Sequence, residues 1–275
     1  MKKIIAMTAM AAMVVSLTAC GSKADETKTS QAETEAVVET TQEAATEAEN
    51  TEVAATNGTL VMATNAEFPP YEFREGDKIV GIDADIAQAI ADELGMELKI
   101  EDMQFDSIIA AVQSGKADMG VAGMTITEDR LATVNFTTPY TKAAQVIIVK
   151  ENSTVTTPDD LKGKKIGVQL GTTGDIYAED IEDVKLDRYS KGFEAVQALL
   201  QDKIDAVIID REPANVFVEQ NEGLKILDEE FTVEEYAICM SKDNTELLDK
   251  VNAALEKLQE SGKIEEIKAQ YITAE

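Results

Sequence analysis

The feature that most constrains the fold is the alternation of short apolar runs with amphipathic segments from residue 59 onward. The runs TLVMAT at residues 59–64, KKIGVQLG at 164–171 and AVIID at 206–210 predict buried strands. Between such runs, segments like residues 83–95 place apolar side chains on one helical stripe and stop at a glycine. This alternation predicts an α/β fold with largely parallel sheets, built as two units with a cleft between their facing edges.

Capping signals predict several element boundaries. Asp106 is expected to cap a helix that ends at Gly115. Thr157, with Asp160 three residues later, predicts a capping box. The run EEYAICM at residues 234–240 is typical of one continuous strand, and an amphipathic helix is predicted to close the chain.

The first 57 residues differ in character from the rest. Residues 1–20 carry two lysines, an apolar stretch and the ending Leu-Thr-Ala-Cys, which resembles the lipobox of a bacterial lipoprotein signal peptide. Lipidation is therefore predicted at Cys20, which would anchor the protein at the extracellular face of the cell membrane. An ordinary secretion signal with an incidental cysteine is the alternative. Residues 21–57 are rich in Glu, Thr and Ala, and are predicted to form a disordered acidic linker.

Composition excludes several classes of function. The chain has 275 residues, a formal net charge of −28 and no histidine. An acidic surface repels nucleic acid, and the absence of histidine removes His-based catalysis and the commonest zinc ligand. No calcium-loop pattern is present, so neither a metal nor a cofactor is predicted. If Cys20 carries lipid, Cys239 has no disulfide partner, and its apolar surroundings favour a buried core residue.

Four stretches together resemble a known family. They are ATNAEFPPYEF at residues 63–73, GIDADIAQAIA at 81–91, VAGMTITEDR at 121–130 and IDAVIID at 204–210. Their order and spacing are similar to the polar-amino-acid branch of the bacterial extracellular solute-binding proteins, which includes glutamine-, histidine- and arginine-binding proteins. Ala84 departs from the larger aliphatic residue or threonine usual in the family, which is a packing change.

The resemblance implies a particular architecture. It implies a two-lobed α/β fold of the type II periplasmic-binding-protein (Venus-flytrap) class, with two hinge strands near residues 140–146 and 236–240. The first lobe would comprise residues 58–145 and 236–275, and the second lobe residues 146–235. The two lobes would close over a ligand held between them.

Candidate ligand-binding residues in the first lobe lie near the third stretch. The planar guanidinium of Arg130 suits a bidentate grip on an α-carboxylate, and the resemblance places the family's carboxylate-binding arginine there. A surface arginine is the alternative. Thr125 and the backbone at Ala122 and Gly123 are expected to hydrogen-bond the ligand's α-groups, since Gly123 permits a close backbone approach.

The second lobe and the aromatic residues supply further candidates. Thr172 and Thr173 stand at a helix start, where they are expected to bind the same carboxylate or simply to cap the helix. Asp210 matches the family's ammonium-binding aspartate, with a helix N-cap as the alternative. Phe68 and Phe105 match the family's aromatic walls around the ligand side chain, with core packing as the alternative.

Ligand identity depends on three polar residues. Asn65 stands where binders of basic amino acids tend to carry Asp, and Gln169 stands where the glutamine binder has a lysine. Both side chains donate and accept, which favours an uncharged polar side chain such as that of glutamine. A basic ligand such as Arg, Lys or His, paired with Glu67, is the alternative.

These observations predict a transport receptor and not an enzyme. The receptor would bind a free polar L-amino acid as a monomer, close, and present it to the permease and ATPase subunits of an ABC importer. No P-loop is present, so the energy source must be a separate subunit. Two alternatives are a cyclohexadienyl or arogenate dehydratase on the same fold, with Glu67 as its acid, and a sensor that acts through a partner protein. No catalytic residue is assigned.

Overall fold

The computed structural model describes residues 58–272. The predicted signal peptide, Cys20 and the predicted linker lie outside the described residues. Within residues 58–272, no helix combines the length and the apolar character needed to span a membrane. No group of three or more His, Cys, Asp or Glu side chains in that range is arranged to hold a metal ion.

The first sheet has five strands in the order β5-β1-β6-β14-β7. The strands β5, β1 and β6 are parallel, whereas β14 is antiparallel to both of its neighbours. Their bounds are Thr59–Thr64 (β1), Glu97–Asp102 (β5), Met119–Gly120 (β6), Asn135–Phe136 (β7) and Cys239–Met240 (β14). A small antiparallel sheet, β2-β3-β4, follows β1 and is formed by Glu67–Phe68 (β2), Glu72–Glu75 (β3) and Lys78–Val80 (β4).

Helices cover both faces of the first sheet because side chains alternate along β1. Leu60 and Met62 pack in one apolar cluster with the long helix Ile82–Glu93 (α1), whereas Ala63 packs in another with Ile108–Gln113 (α2). The remaining helices of this lobe are Glu128–Thr133 (α3), Thr245–Glu260 (α7) and Lys263–Tyr271 (α8). The last two pack against α1, so the C-terminus of the chain completes the lobe that its N-terminal strand began.

The second sheet runs in the order β10-β9-β11-β8-β12, and β13 also pairs with β8. Strands β10, β9 and β11 are parallel, and β8 is antiparallel to β11, β12 and β13. The strands are Thr141–Lys150 (β8), Lys165–Gln169 (β9), Lys185–Tyr189 (β10), Ala206–Asp210 (β11), Leu224–Ile226 (β12) and Thr232–Tyr236 (β13). The helices of this lobe are Thr173–Ala178 (α4), Gly192–Leu200 (α5) and Arg211–Glu219 (α6).

The chain passes between the two sheets twice, between β7 and β8 and again between β13 and β14. At the second passage, Tyr236 pairs with Thr141 of the second sheet, while Cys239 pairs with Gly120 of the first. The exact lobe boundaries at residues 145/146 and 235/236 stay a prediction. The two crossings place the carboxyl ends of β6, β9 and β11 beside the junction of the lobes, where a ligand site is expected.

Two local predictions were wrong, for identifiable reasons. Asp106 does not cap a helix: it lies exposed inside the 3-10 turn Phe105–Ser107, which is preceded by extended backbone at Gln104. The run 234–240 is not one strand, because its two halves pair with different sheets and the chain must break between them. The capping box of Thr157 and Asp160 is confirmed, although it begins only the short 3-10 helix Pro158–Leu161.

Candidate functional site

One cavity lies between the two lobes and is lined by every predicted ligand-binding residue. Glu72 also lines this cavity, although the sequence patterns do not single it out. Residues just after β6 and at the ends of β9 and β11 contribute to the wall, as the carboxyl ends of parallel strands should. The complete lining is Asn65, Phe68, Glu72, Phe105, Ala122, Gly123, Thr125, Arg130, Gln169, Thr172, Thr173 and Asp210.

Arg130 is buried, with 6% of its surface exposed, so the surface alternative is wrong. Its backbone N–H donates to the Thr127 side chain, which thereby caps the start of α3, the helix that carries Arg130. Its guanidinium donates from Nη1 to the Thr125 carbonyl oxygen (2.7 Å) and from Nη2 to that of Gly171 (3.0 Å). It also lies 5.5 Å from the ring centre of Phe105.

The charge of Arg130 has no carboxylate partner among the salt bridges within residues 58–272. Burial lowers the pKa of the guanidinium, and the negative charge of Glu234 opposes that shift. Both of its side-chain bonds in this part of the chain go to neutral carbonyl groups. The cavity therefore presents a positive group that is able to pair with an incoming anion.

Asp210 ends β11, buried beside the junction of the lobes. It occupies the N-cap position of α6, but its side chain makes no capping hydrogen bond. The Tyr236 hydroxyl donates to its Oδ1 instead. Burial, followed by the nearby charge of Glu234, raises the pKa of Asp210 to about 7. An arriving cation would therefore stabilise the charged form of this carboxyl.

Thr172 and Thr173 make different hydrogen bonds. Thr172 caps α4, because its hydroxyl accepts the Asp175 backbone N–H (3.3 Å) and donates to the Gln169 carbonyl oxygen (2.8 Å). Thr173 is buried, and its hydroxyl oxygen accepts from Gln145 Nε2 at 3.3 Å. The capping alternative is thus confirmed for Thr172, whereas the Thr173 hydroxyl still has a proton to donate.

Glu72 and Asp83 form a buried carboxyl pair at the cavity. Asp83 accepts the Gly123 backbone N–H at 2.7 Å and the Tyr140 hydroxyl at 2.9 Å, and burial raises its pKa to about 6. Glu72 is 1% exposed, and within residues 58–272 neither of its carboxyl oxygens accepts a hydrogen bond from an N–H or hydroxyl donor, so the neighbouring Asp83 carboxyl is its polar contact. Burial and the charge of Asp83 raise the pKa of Glu72 well above its ordinary value.

Asn65 and Gln169 bind each other across the two lobes. Gln169 Nε2 donates to Asn65 Oδ1 at 2.9 Å, and Asn65 Nδ2 donates to the Met103 carbonyl oxygen at 2.9 Å. Gln169 Nε2 also reaches the Ser190 carbonyl oxygen at 3.4 Å. Within residues 58–272, Gln169 Nε2 therefore uses both of its N–H donors on the protein itself, whereas Asn65 Nδ2 uses one of its two.

Glu67 lies outside the cavity lining. Its Oε1 is 2.6 Å from Lys191 Nζ, and both side chains are about one-third exposed, at 36% and 35%. The pair therefore bridges the lobes at the protein surface. Phe68 and Phe105, in contrast, are buried and do line the cavity, and Phe68 stacks on Tyr71 at 6.0 Å between ring centres.

Gly123 is expected to tolerate no side chain. Its φ is +53°, and a Cβ would lie 2.9 Å from a Phe68 ring carbon and 3.3 Å from a Tyr236 ring carbon. We expect Gly123→Ala to weaken ligand binding about tenfold or more, because the methyl group displaces the aromatic wall and strains the backbone by roughly 1–2 kcal/mol. Isothermal titration calorimetry measures the affinity.

Gly76→Ala is the matched control for Gly123→Ala. Gly76 has a similar φ of +61°, but nothing lies within 4 Å of its added Cβ. The control therefore carries the backbone strain without the clash. Equal losses of affinity in the two variants would show that crowding of the cavity plays no part.

The fold and the cavity between the lobes define a two-lobed binding protein of the type II class. The sequence of residues 60–274 matches the bacterial extracellular solute-binding proteins, family 3, and the chain belongs to this family. This membership confirms the predicted family and fold. Members of this family are binding components, which agrees with the prediction that the chain is not an enzyme.

Individual relatives share most of their length with this chain. The arginine-binding extracellular protein ArtP of Bacillus subtilis is 35% identical over 222 residues, 78% of this chain and 87% of the relative. The L-cystine-binding protein TcyJ of Escherichia coli K12 is 31% identical, over 79% of this chain and 84% of the relative. An ancestral arginine-binding protein, solved with arginine bound, superposes with a TM-score of 0.74 at 43% identity, covering 78% of this chain and 99% of that one.

Proposed function

We propose that this chain is the extracellular binding subunit of an ABC importer for an L-amino acid, and that the preferred ligand has a cationic side chain, with arginine as the first candidate. The observation that supports the cationic ligand is Glu72, a buried carboxyl group in the cavity wall that receives no hydrogen bond from an N–H or hydroxyl group within residues 58–272. Relatives that bind arginine support the same choice.

The α-groups of any amino acid fit one part of the lining. The α-carboxylate would pair with the guanidinium of Arg130, which has no carboxylate partner among the described salt bridges, and accept from the Thr173 hydroxyl. The α-ammonium would pair with Asp210 and donate to the Thr125 hydroxyl. Each charge of the zwitterion then meets an opposite charge, which a desolvated ion requires.

The side chain would meet a surface rich in acceptors. Gln169 Nε2 uses both of its donors on the protein and Asn65 Nδ2 uses one of its two, so most of the polar atoms that remain for the ligand side chain are oxygens, above all those of Glu72. A guanidinium carries only donors, and its positive charge would favour the deprotonated form of Glu72, whose carboxylate it matches in a two-point contact. A glutamine side chain would leave its own carbonyl oxygen facing this acceptor surface, which disfavours the uncharged ligand suggested by Asn65 and Gln169 alone.

Glutamine is the second candidate. A solved ancestral arginine-binding protein, 42% identical to this chain, has glutamine bound, so a related chain accommodates both side chains. The dehydratase alternative has no comparable support, because its candidate acid, Glu67, pairs with Lys191 outside the cavity.

Replacing Glu72 with glutamine tests the proposed ligand class. We expect Glu72→Gln to lower the affinity for L-arginine about 30-fold, because one charge-assisted contact of roughly 2 kcal/mol is lost. Binding of L-glutamine, in contrast, should be retained or strengthened. Titration calorimetry with the twenty L-amino acids on refolded, ligand-free protein gives both affinities.

Glu75→Gln is the matched control, since Glu75 lies on the same strand but is exposed. It should leave both affinities within about twofold of the wild type. If Glu72→Gln and the wild type bind arginine equally, the cationic ligand class is wrong. If the wild type binds none of the twenty amino acids, the receptor proposal itself fails.

Anchoring and partners complete the proposal. The sequence before residue 58 supports lipidation at Cys20 and a tether that holds the folded part near the membrane. The family membership supports a separate permease and ATPase as partners. We further propose that the receptor acts as a monomer.

A further inference from the structure

Two buried side chains of β13 lie behind the cavity. Because side chains alternate along a strand, Glu234 and Tyr236 point inward while Val233 and Glu235 are exposed. Tyr236 donates to Asp210, which lines the cavity. Glu234 is 4% exposed but does not line the cavity itself. A buried carboxylate at this position needs a reason, since burial without pairing is costly.

Hydrogen bonds to one of the two carboxyl oxygens of Glu234 suggest that reason, while its Oε1 has no hydrogen-bond partner within residues 58–272. Its Oε2 accepts from Thr125 Oγ1 at 2.9 Å and from Gln145 Nε2 at 3.1 Å. The same Gln145 nitrogen lies 3.3 Å from Thr173 Oγ1. Glu234 thereby connects a threonine of the first lobe to a threonine of the second, and both threonines line the cavity.

The chemistry of these groups fixes the direction of each bond. A carboxylate only accepts, so the Thr125 hydroxyl must donate its hydrogen bond to Glu234. Its oxygen lone pairs then remain available to accept from a ligand. An amide nitrogen only donates, so the Thr173 hydroxyl must accept from Gln145 and retains its own proton. Contact with Glu234 also determines which way the Gln145 amide faces.

We propose that Glu234 is a positioning residue that gives the two cavity threonines opposite polarity, so that Thr125 presents an acceptor to the α-ammonium and Thr173 a donor to the α-carboxylate. This inference rests on the proposed function of the cavity. The charge of Glu234 acts in the same direction, because it favours the protonated form of the Arg130 guanidinium.

The test compares Glu234→Gln and Glu234→Leu with the wild type, with L-arginine and L-glutamine as probes. Leucine removes the acceptor, and we expect it to weaken binding about 100-fold. Glutamine keeps one acceptor oxygen but loses the charge, so it should restore part of the affinity, leaving a loss of about tenfold. Circular dichroism and thermal unfolding establish that each variant is folded, and Glu234→Gln suffices if the leucine variant is not.

A double-mutant cycle separates positioning from a general structural role. In a Thr125→Val background there is no hydroxyl to orient, so Glu234→Gln should cost at most about threefold there. Glu235→Gln, on the exposed face of the same strand, is the matched control and should leave the affinity unchanged.

The outcomes distinguish the two proposals. Glu234→Gln binding within about twofold of the wild type, or an equal loss in both backgrounds, overturns the positioning role while the receptor stands. If the wild type binds neither probe, the proposed function fails and the positioning role falls with it.

Discussion

Arg130→Ala is expected to lower the affinity for the amino acid about a thousandfold, roughly 4 kcal/mol, and in practice to abolish measurable binding. The guanidinium is buried and has no carboxylate among its described partners, so its removal leaves the ligand's α-carboxylate desolvated without an opposite charge. The substitution also removes the bond to the Gly171 carbonyl oxygen, which joins the two lobes. Calorimetry and the ligand-induced rise in unfolding temperature report the loss.

Arg74→Ala is the matched control for Arg130→Ala. Arg74 is exposed and pairs with Asp102 at 2.6 Å, outside the cavity lining. Its removal should change affinity by no more than about twofold. A variant at Arg130 that still binds within about tenfold of the wild type would contradict the assigned carboxylate contact.

Asp210→Asn is expected to raise the stability of the ligand-free protein at pH 8 while it weakens ligand binding. The pKa of Asp210 is raised from 3.8 to about 7, so the folded protein holds a proton there that the unfolded chain has lost. The resulting stability is fully present below about pH 4 and is lost as the pH rises through about 7. At pH 8 the asparagine variant escapes this cost, so its ligand-free form should unfold at a temperature several degrees above that of the wild type.

Binding should move in the opposite direction. Loss of the charge opposite the α-ammonium is expected to weaken affinity at pH 8 about 100-fold or more. In the wild type, affinity should fall as the pH drops below about 7, because protonation of Asp210 competes with the ligand. The affinity of the Asp210→Asn variant should depend less on pH. The pH dependence that is left should come from Glu72 and Asp83.

Thermal unfolding at pH 5 and pH 8, with and without ligand, measures both effects of Asp210→Asn. Exposed Asp228 provides the control, and Asp228→Asn should follow the wild type at both pH values. An asparagine variant that is less stable than the wild type at pH 8 would show that the Asp210 carboxylate stabilises the ligand-free fold, contrary to the expectation.

The sequence predicts the residues of the cavity better than it predicts their hydrogen bonds. Ala122 and Gly123 follow β6, while Gln169 and Asp210 end β9 and β11. An apolar run locates the end of β11 from local sequence, but the assignment of these residues to one site comes from the family resemblance, and the topology of parallel sheets brings them together. Their hydrogen-bond partners, in contrast, depend on distances between lobes, as in the bond between Gln169 and Asn65.

The burial of Glu72 is not predictable from its neighbours in the sequence. The residue begins β3, a short strand whose other residues are partly or fully exposed, and its sequence surroundings resemble an ordinary polar hairpin. Its burial follows from long-range packing beside Asp83, which is itself fixed by Tyr140 and Gly123. The break at residues 237–238 has the same origin, because it follows from the choice of partner sheet and has no turn residue to mark it in the sequence.

The hydrogen-bond network of Glu234 includes none of the three residues that would discriminate between ligand side chains. Asn65, Glu72 and Gln169 belong to the segment after β1, to β3 and to β9, and none bonds to Glu234, Thr125 or Gln145 within residues 58–272. For protein engineering, this separation makes the chain a scaffold for fluorescent metabolite reporters. A designer who changes the analyte through Glu72 would leave the hydrogen bonds of Thr125 and Thr173 intact, whereas a change at Asn65 or Gln169 would also remove their bond between the lobes.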